Sequence, residues 1–106
     1  MPKYLIAGTY TTDGATGVLR EGGTGRRAAA AAALASVGGS LESFHFALGS
    51  DEWYVIAELP DNVTAAAIAL IGTASGTLRS RAIALITPEE MDALGDRLPE
   101  FRPPGE

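Results

Sequence analysis

Apolar residues fall into short bursts separated by glycine, proline and small polar residues, and this spacing predicts alternating strands and helices. Tyr4 to Tyr10 is short, apolar and aromatic-flanked, which predicts a first strand. Residues 11–25 are rich in Gly and Thr and read as a long connection, with one helical turn around Val18 to Arg20. The alanine-rich run 26–37 favours helix, and Gly38-Gly39 stops it. Leu41 to Leu48 and Trp53 to Leu59 predict two strands joined by a tight turn at Gly49-Ser50-Asp51-Glu52. Pro60-Asp61-Asn62 ends the third strand and caps a helix over 62–74. On that helix Val63, Ala66, Ala67, Leu70, Ile71 and Ala74 share one face, the expected inner one. Leu78 to Ile86 predicts a fourth strand. Thr87-Pro88-Glu89-Glu90 has the pattern of a capping box with proline at the first helical position.

The resulting order is β-α-β-β-α-β. Ser40-Leu41-Glu42-Ser43 through Ala47-Leu48 echoes Thr77-Leu78-Arg79-Ser80 through Ala84-Leu85, each after a helix-ending glycine. The echo marks equivalent positions in two βαβ halves. Right-handed crossovers then give an α+β, ferredoxin-like fold: four antiparallel strands with both helices on one face. Residues 1–97 form one domain, and 98–106, with three prolines, an extended tail.

A two-residue turn at Ser50-Asp51 would set Leu48 opposite Trp53, Phe46 opposite Val55 and Phe44 opposite Ala57, making the helix-packed face. Ser43, His45 and Ala47 would then share the other face with Glu58, Ile56 and Tyr54, beside Leu41. Helices cover only one face, so the second is too apolar for water and a partner is expected there. The symmetric solution is a homodimer, or a higher oligomer, with sheets face to face.

Composition narrows the partners. At 106 residues and 46% hydrophobic, the chain fits one globular domain. Its net charge of −5 argues against nucleic acid. Without cysteine it has neither a disulfide framework nor a thiolate metal site. No stretch reads as a membrane span or signal peptide, so the expected location is the cytoplasm.

Candidate chemistry is sparse. His45 is the only histidine. In the register above Tyr54 and Glu58 share its face, and the three could serve acid–base work. Ser43, His45 and Tyr54 are also candidate ligand contacts. One histidine among scattered carboxylates predicts no metal site. Glycines 22, 23 and 25 precede Arg26 and Arg27 where the first helix opens, so a carboxylate or phosphate could dock on these arginines. The segment is neither a P-loop nor a dinucleotide fingerprint, and no cofactor is expected. No nucleophile-elbow pattern places a serine near His45.

Several segments resemble the GYD domain family. They are Met1-Pro2-Lys3-Tyr4-Leu5-Ile6, Leu19-Arg20-Glu21-Gly22-Gly23-Thr24 and Gly38-Gly39-Ser40-Leu41-Glu42-Ser43. Leu59-Pro60-Asp61-Asn62, Leu85-Ile86-Thr87-Pro88-Glu89-Glu90 and the run Phe101 to Gly105 complete the pattern. The tyrosine of the naming motif is missing, because the corresponding turn is Gly49-Ser50-Asp51-Glu52. The resemblance implies a dimeric α+β barrel, in which two ferredoxin-like sheets pack together, and it carries over no catalytic residues. The expected function is a homodimer binding a small organic molecule, between sheet and helices or across the dimer. The alternative is a cofactor-independent oxygenase or isomerase acting on small hydrophobic carbonyl or phenolic compounds, through His45 with Tyr54 or Glu58.

Overall fold

The computed structural model describes residues 1–106. Four strands form one antiparallel sheet: β1 (Lys3–Tyr10), β2 (Ser40–Phe46), β3 (Trp53–Glu58) and β4 (Leu78–Leu85), in spatial order β2-β3-β1-β4. Helices α1 (Thr12–Glu21) and α2 (Gly23–Ser36) fill the first crossover, and α3 (Asn62–Ala74) fills the second. This is the ferredoxin-like arrangement expected. A short α4 (Pro88–Asp92) and a 3-10 turn (Ala93–Arg97) follow β4.

The core lies between sheet and helices. Tyr4 and Ile6 of β1 and Trp53, Val55 and Ala57 of β3 are buried there with Leu34, Leu59 and Ala65. Two devices position α3. Asp61 Oδ1 accepts from Thr64 N at 2.8 Å as N-cap, and the Tyr4 hydroxyl donates to Asn62 Oδ1 at 2.6 Å. The capping box at Thr87 and Glu90 forms as its residues predict, with both reciprocal bonds made.

Three expectations are corrected. The first connection is not a loop with one turn but the ten-residue α1, whose N-cap Thr11 accepts from Gly14 N at 3.2 Å. Gly14 and Gly17 lower its helix propensity, and that hid it. Gly22, at φ 80°, breaks the helical run between α1 and α2.

The hairpin register is the second correction. Phe46 pairs with Trp53, Phe44 with Val55 and Leu41 with Ala57, while Ala47 N donates to Glu52 O. The connection is longer than two residues. Its register moves by two positions, which preserves the faces of Phe44, Phe46, Ser43 and His45. Leu48 leaves the sheet and is fully exposed. A β-bulge between Leu41 and Ser43 leaves Glu42 unpaired and puts Leu41 on the helix side, against the core, rather than on the open face.

The third correction is the face of α3. Ala65, Ile68, Ala69 and Gly72 turn inward, while Val63, Leu70 and Ile71 are largely exposed. The helix carries no charge and is apolar all round, so periodicity alone does not choose a face. Small residues choose it. A Cβ on Gly72 would lie 2.7 Å from Leu78 Cδ1, and Ser80 Oγ donates to Ala69 O at 2.7 Å.

The open sheet face carries Lys3, Leu5, Ala7 and Thr9 from β1 and Tyr54, Ile56 and Glu58 from β3. Ser43 and His45 of β2 and Arg79, Arg81, Ile83 and Leu85 of β4 complete it. Every residue from Pro88 to Glu106 is exposed, and α4 and the 3-10 turn pack chiefly on each other. The radius of gyration is 16.9 Å, against about 13 Å for a compact domain of this length.

Candidate functional site

A mainly apolar concavity lies on the helix side of the sheet. Its volume is about 290 Å³, near the lower end for small-molecule pockets. It is also about twice the roughly 150 Å³ that admits a benzene ring. Ile6, Val55 and Leu78 form its floor, Ala30, Ala33 and Leu34 one wall, and Ile68, Ile71 and Gly72 the other. Each wall exists for a local reason. The alanines of α2 keep its inner surface thin, and the small inner stripe of α3 lets that helix sit close to β4.

The aromatic side is made by Phe44, Trp53 and Tyr10, with Trp53 and Tyr10 ring centroids 6.2 Å apart. Trp53 Nε1 is buried without an acceptor, an arrangement that costs about 1–3 kcal/mol. Polar groups include Tyr10, Arg26, Ser75 and Thr77. Burial raises the Tyr10 phenol above its ordinary 10.0, against a lowering pull from Arg26. Tyr10 therefore stays a neutral donor through physiological pH. Arg26 reaches Glu21 Oε1 at 3.5 Å, a partly exposed pair worth about 0–1 kcal/mol. That weak hold leaves the guanidinium available to a stronger anionic partner.

The residues singled out from sequence divide between the two faces. Arg26 lines the cleft, whereas Arg27, one residue on, is exposed and does not. Ser43, His45 and Tyr54 lie on the open face, with Ser43 opposite Ile56 and His45 opposite Tyr54. Glu58 pairs with Ser40 and Lys3, four residues along β3 from Tyr54. At about 3.3 Å per residue this is roughly 13 Å from the His45 level. The acid–base trio is therefore not assembled, because its geometry depended on the shorter turn. No three His, Asp or Glu side chains gather in a way that could hold a metal.

Asp51 stands where the sequence predicts a plain turn. It is 9% exposed, and its Oδ2 accepts from Arg81 Nη2 at 2.6 Å and from the Tyr54 hydroxyl at 3.4 Å. Tyr54 and Arg81 both pair with Ala7, which is fully buried. The carboxylate thus spans from β3 to β4 across β1. Its neighbour Glu52 donates its N–H to Gly8 O at 2.8 Å and accepts from Tyr10 N at 2.9 Å. The turn is in effect a clasp on the open face.

The GYD domain model matches residues 4–94, nearly the whole folded body. The chain belongs to the GYD domain family. No curated protein matches it, and no solved structure matches it. The turn Gly49-Ser50-Asp51-Glu52 of this GYD domain holds no tyrosine. Asp51 of that turn clasps the sheet through Arg81 and Tyr54. No helix of the GYD domain is long and apolar enough to cross a membrane.

Proposed function

We propose that this GYD domain protein binds a small, largely apolar molecule bearing one acidic group in the cleft between α2, α3 and the sheet. The carrying observation is that apolar cleft, with Arg26 and a neutral Tyr10 among its few polar groups. Apolar walls supply affinity and convergent polar groups fix orientation. A carboxylate would take a charge-assisted bond from Arg26 and a second from the Tyr10 hydroxyl. The chain acts as a homodimer, paired through the open sheet faces. The half-exposed Ile83 and Tyr54, beside Leu5 and Ile56, support this pairing.

Trp53 is the only tryptophan and lines the cleft, so its fluorescence reports occupancy. Naphthoate and octanoate serve as probes. A saturable emission change is expected, with affinity about tenfold or more weaker in Arg26→Gln, the loss expected for one hydrogen bond to a charged group. No saturable change at millimolar probe, or equal affinity in Arg26→Gln, would refute the reading. Native mass spectrometry of the protein from its source tests for a retained ligand.

A further inference from the structure

We propose that residues 88–106 form an arm that a second copy of this chain receives on the open face of its sheet, along the β4 side. This rests on the homodimer proposed above and names the element that secures it.

The arm leaves its own body. All its residues are exposed, and the molecule extends 56 Å along its long axis against 33 and 23 Å across. Yet its sequence is not that of a solvated tail. Met91, Leu94 and Leu98 recur at three- and four-residue spacing, Phe101 follows, and these side chains are 44% to 75% exposed. A capping box and a proline fix the start of α4, so the stripe is presented in a defined conformation. Such a surface gains little unless something covers it.

Charge selects the receiving surface. Six acids against two arginines give the arm a net charge of −4, out of −5 for the whole chain. Two apolar surfaces on the body are exposed. The outer face of α3 has no charged residue and begins beside Asp61, so it offers an acidic arm no complement. The β4 side of the open face carries Arg79, which has no ion-pair partner, and Arg81, whose exposed side chain holds Asp51, followed by Ile83 and Leu85, with Leu5 and the Glu42-paired Lys3 on the adjoining strand. The arginines occupy one end of this stretch of β4 and the apolar residues the other, so an arm with both acidic and apolar side chains finds a complement to each along one strand. Reciprocal exchange of two arms satisfies the two-fold symmetry of a homodimer.

The test is sedimentation velocity over a concentration series, with circular dichroism, on three proteins. These are the full chain, the chain ended after Thr87, and full-length Leu94→Asp/Leu98→Asp. A full-chain dimer is expected, weakened by salt. The truncated chain should be a folded monomer, and the double variant should dissociate at least about 1,000-fold more readily, because a reciprocal dimer leaves four leucines unburied. A dimer equally tight in all three proteins overturns the arm while leaving the sheet pairing standing. A full chain that stays monomeric at millimolar concentration overturns both. The double variant, which keeps every residue of the body, decides the matter should truncation disturb folding.

Discussion

Gly14 and Gly17 lie one turn apart on α1, and replacing each by alanine should move stability in opposite directions. In a helix interior either exchange gains about 0.5–1 kcal/mol, because alanine loses less backbone entropy on folding. At Gly17 nothing lies within 4 Å of an added Cβ, so that gain is kept. At Gly14 the added carbon would sit 1.7 Å from the carbonyl oxygen of Thr77. Ordinary carbon–oxygen contact is about 3.3 Å, so α1 and the entry to β4 must separate by roughly 1.6 Å. Two bonds tie them at this point: Thr11 N to Thr77 O at 3.0 Å, and Thr11 Oγ1 to Gly76 O at 2.8 Å. Losing both costs about 2 kcal/mol, so Gly14→Ala destabilises by about 1 kcal/mol net. The two variants then differ by about 2 kcal/mol, or about 10 °C in Tm for a domain of this size. Urea unfolding followed by Trp53 emission measures both, with equal m-values as the two-state check. Gly14→Ala as stable as Gly17→Ala would show that the close approach of α1 to β4 is wrong. Thr77 and Leu78 also line the cleft, so the same displacement should weaken naphthoate binding.

Other perturbations address the clasp and the titrating groups. Asp51→Ala removes the bond to Arg81, whose side chain is 59% exposed, so solvent screening limits the loss to about 1–2 kcal/mol, measurable by thermal melting. Hydrogen bonds from Thr64 N and Oγ1 hold the Asp61 carboxyl below its ordinary 3.8. Its contribution is therefore full above that value and fades as pH falls below it, and Asp61→Asn should flatten this acid limb in pH-dependent melts. The Tyr10 phenol is raised, so its contribution is full below its ordinary 10.0 and is lost as pH rises through the higher folded value. Tyr10→Phe should remove a late-ionising phenol from an ultraviolet titration.

The strand order, the existence of α2 and α3 and the capping box were legible because local signals agreed there. Gly38, at φ 81°, ends the alanine helix as its residue type demands. The misread elements share a cause, since each was decided by tertiary contact. α1 contains two glycines that a helix disfavours, and Gly14 is tolerated because only a bare Cα fits against the Thr77 carbonyl. The turn before β3 reads as a tight hairpin from composition. Asp51 and Glu52 instead reach across the sheet to Arg81, Gly8 and Tyr10, contacts that local spacing does not encode. The candidate site divides on the same principle. Arg26 was visible as a cation at a glycine-rich helix start, while its partner Tyr10 looked like the end of a strand.

The reversed face of α3 has a consequence for the whole molecule. Had Leu70 turned inward, its bulk would have filled the space beside β4. The stripe Ala65, Ala69 and Gly72 brings the backbone close instead, and Gly72 lines the cleft with no side chain of its own. Small residues inside thus do two things at once: they let α3 pack tightly at Leu78, and they leave room between α3 and the alanines of α2. Filling that room is a direct check on the origin of the cleft. Ala30→Leu adds bulk at a partly buried lining position against a wall that is already apolar, so the fold should tolerate it while naphthoate affinity falls about tenfold or more, as expected when roughly 1.5 kcal/mol of apolar contact is forfeited. Unchanged affinity with unchanged stability would show that the probe binds elsewhere, and the open face, with Ser43, His45 and Tyr54, would become the site to test.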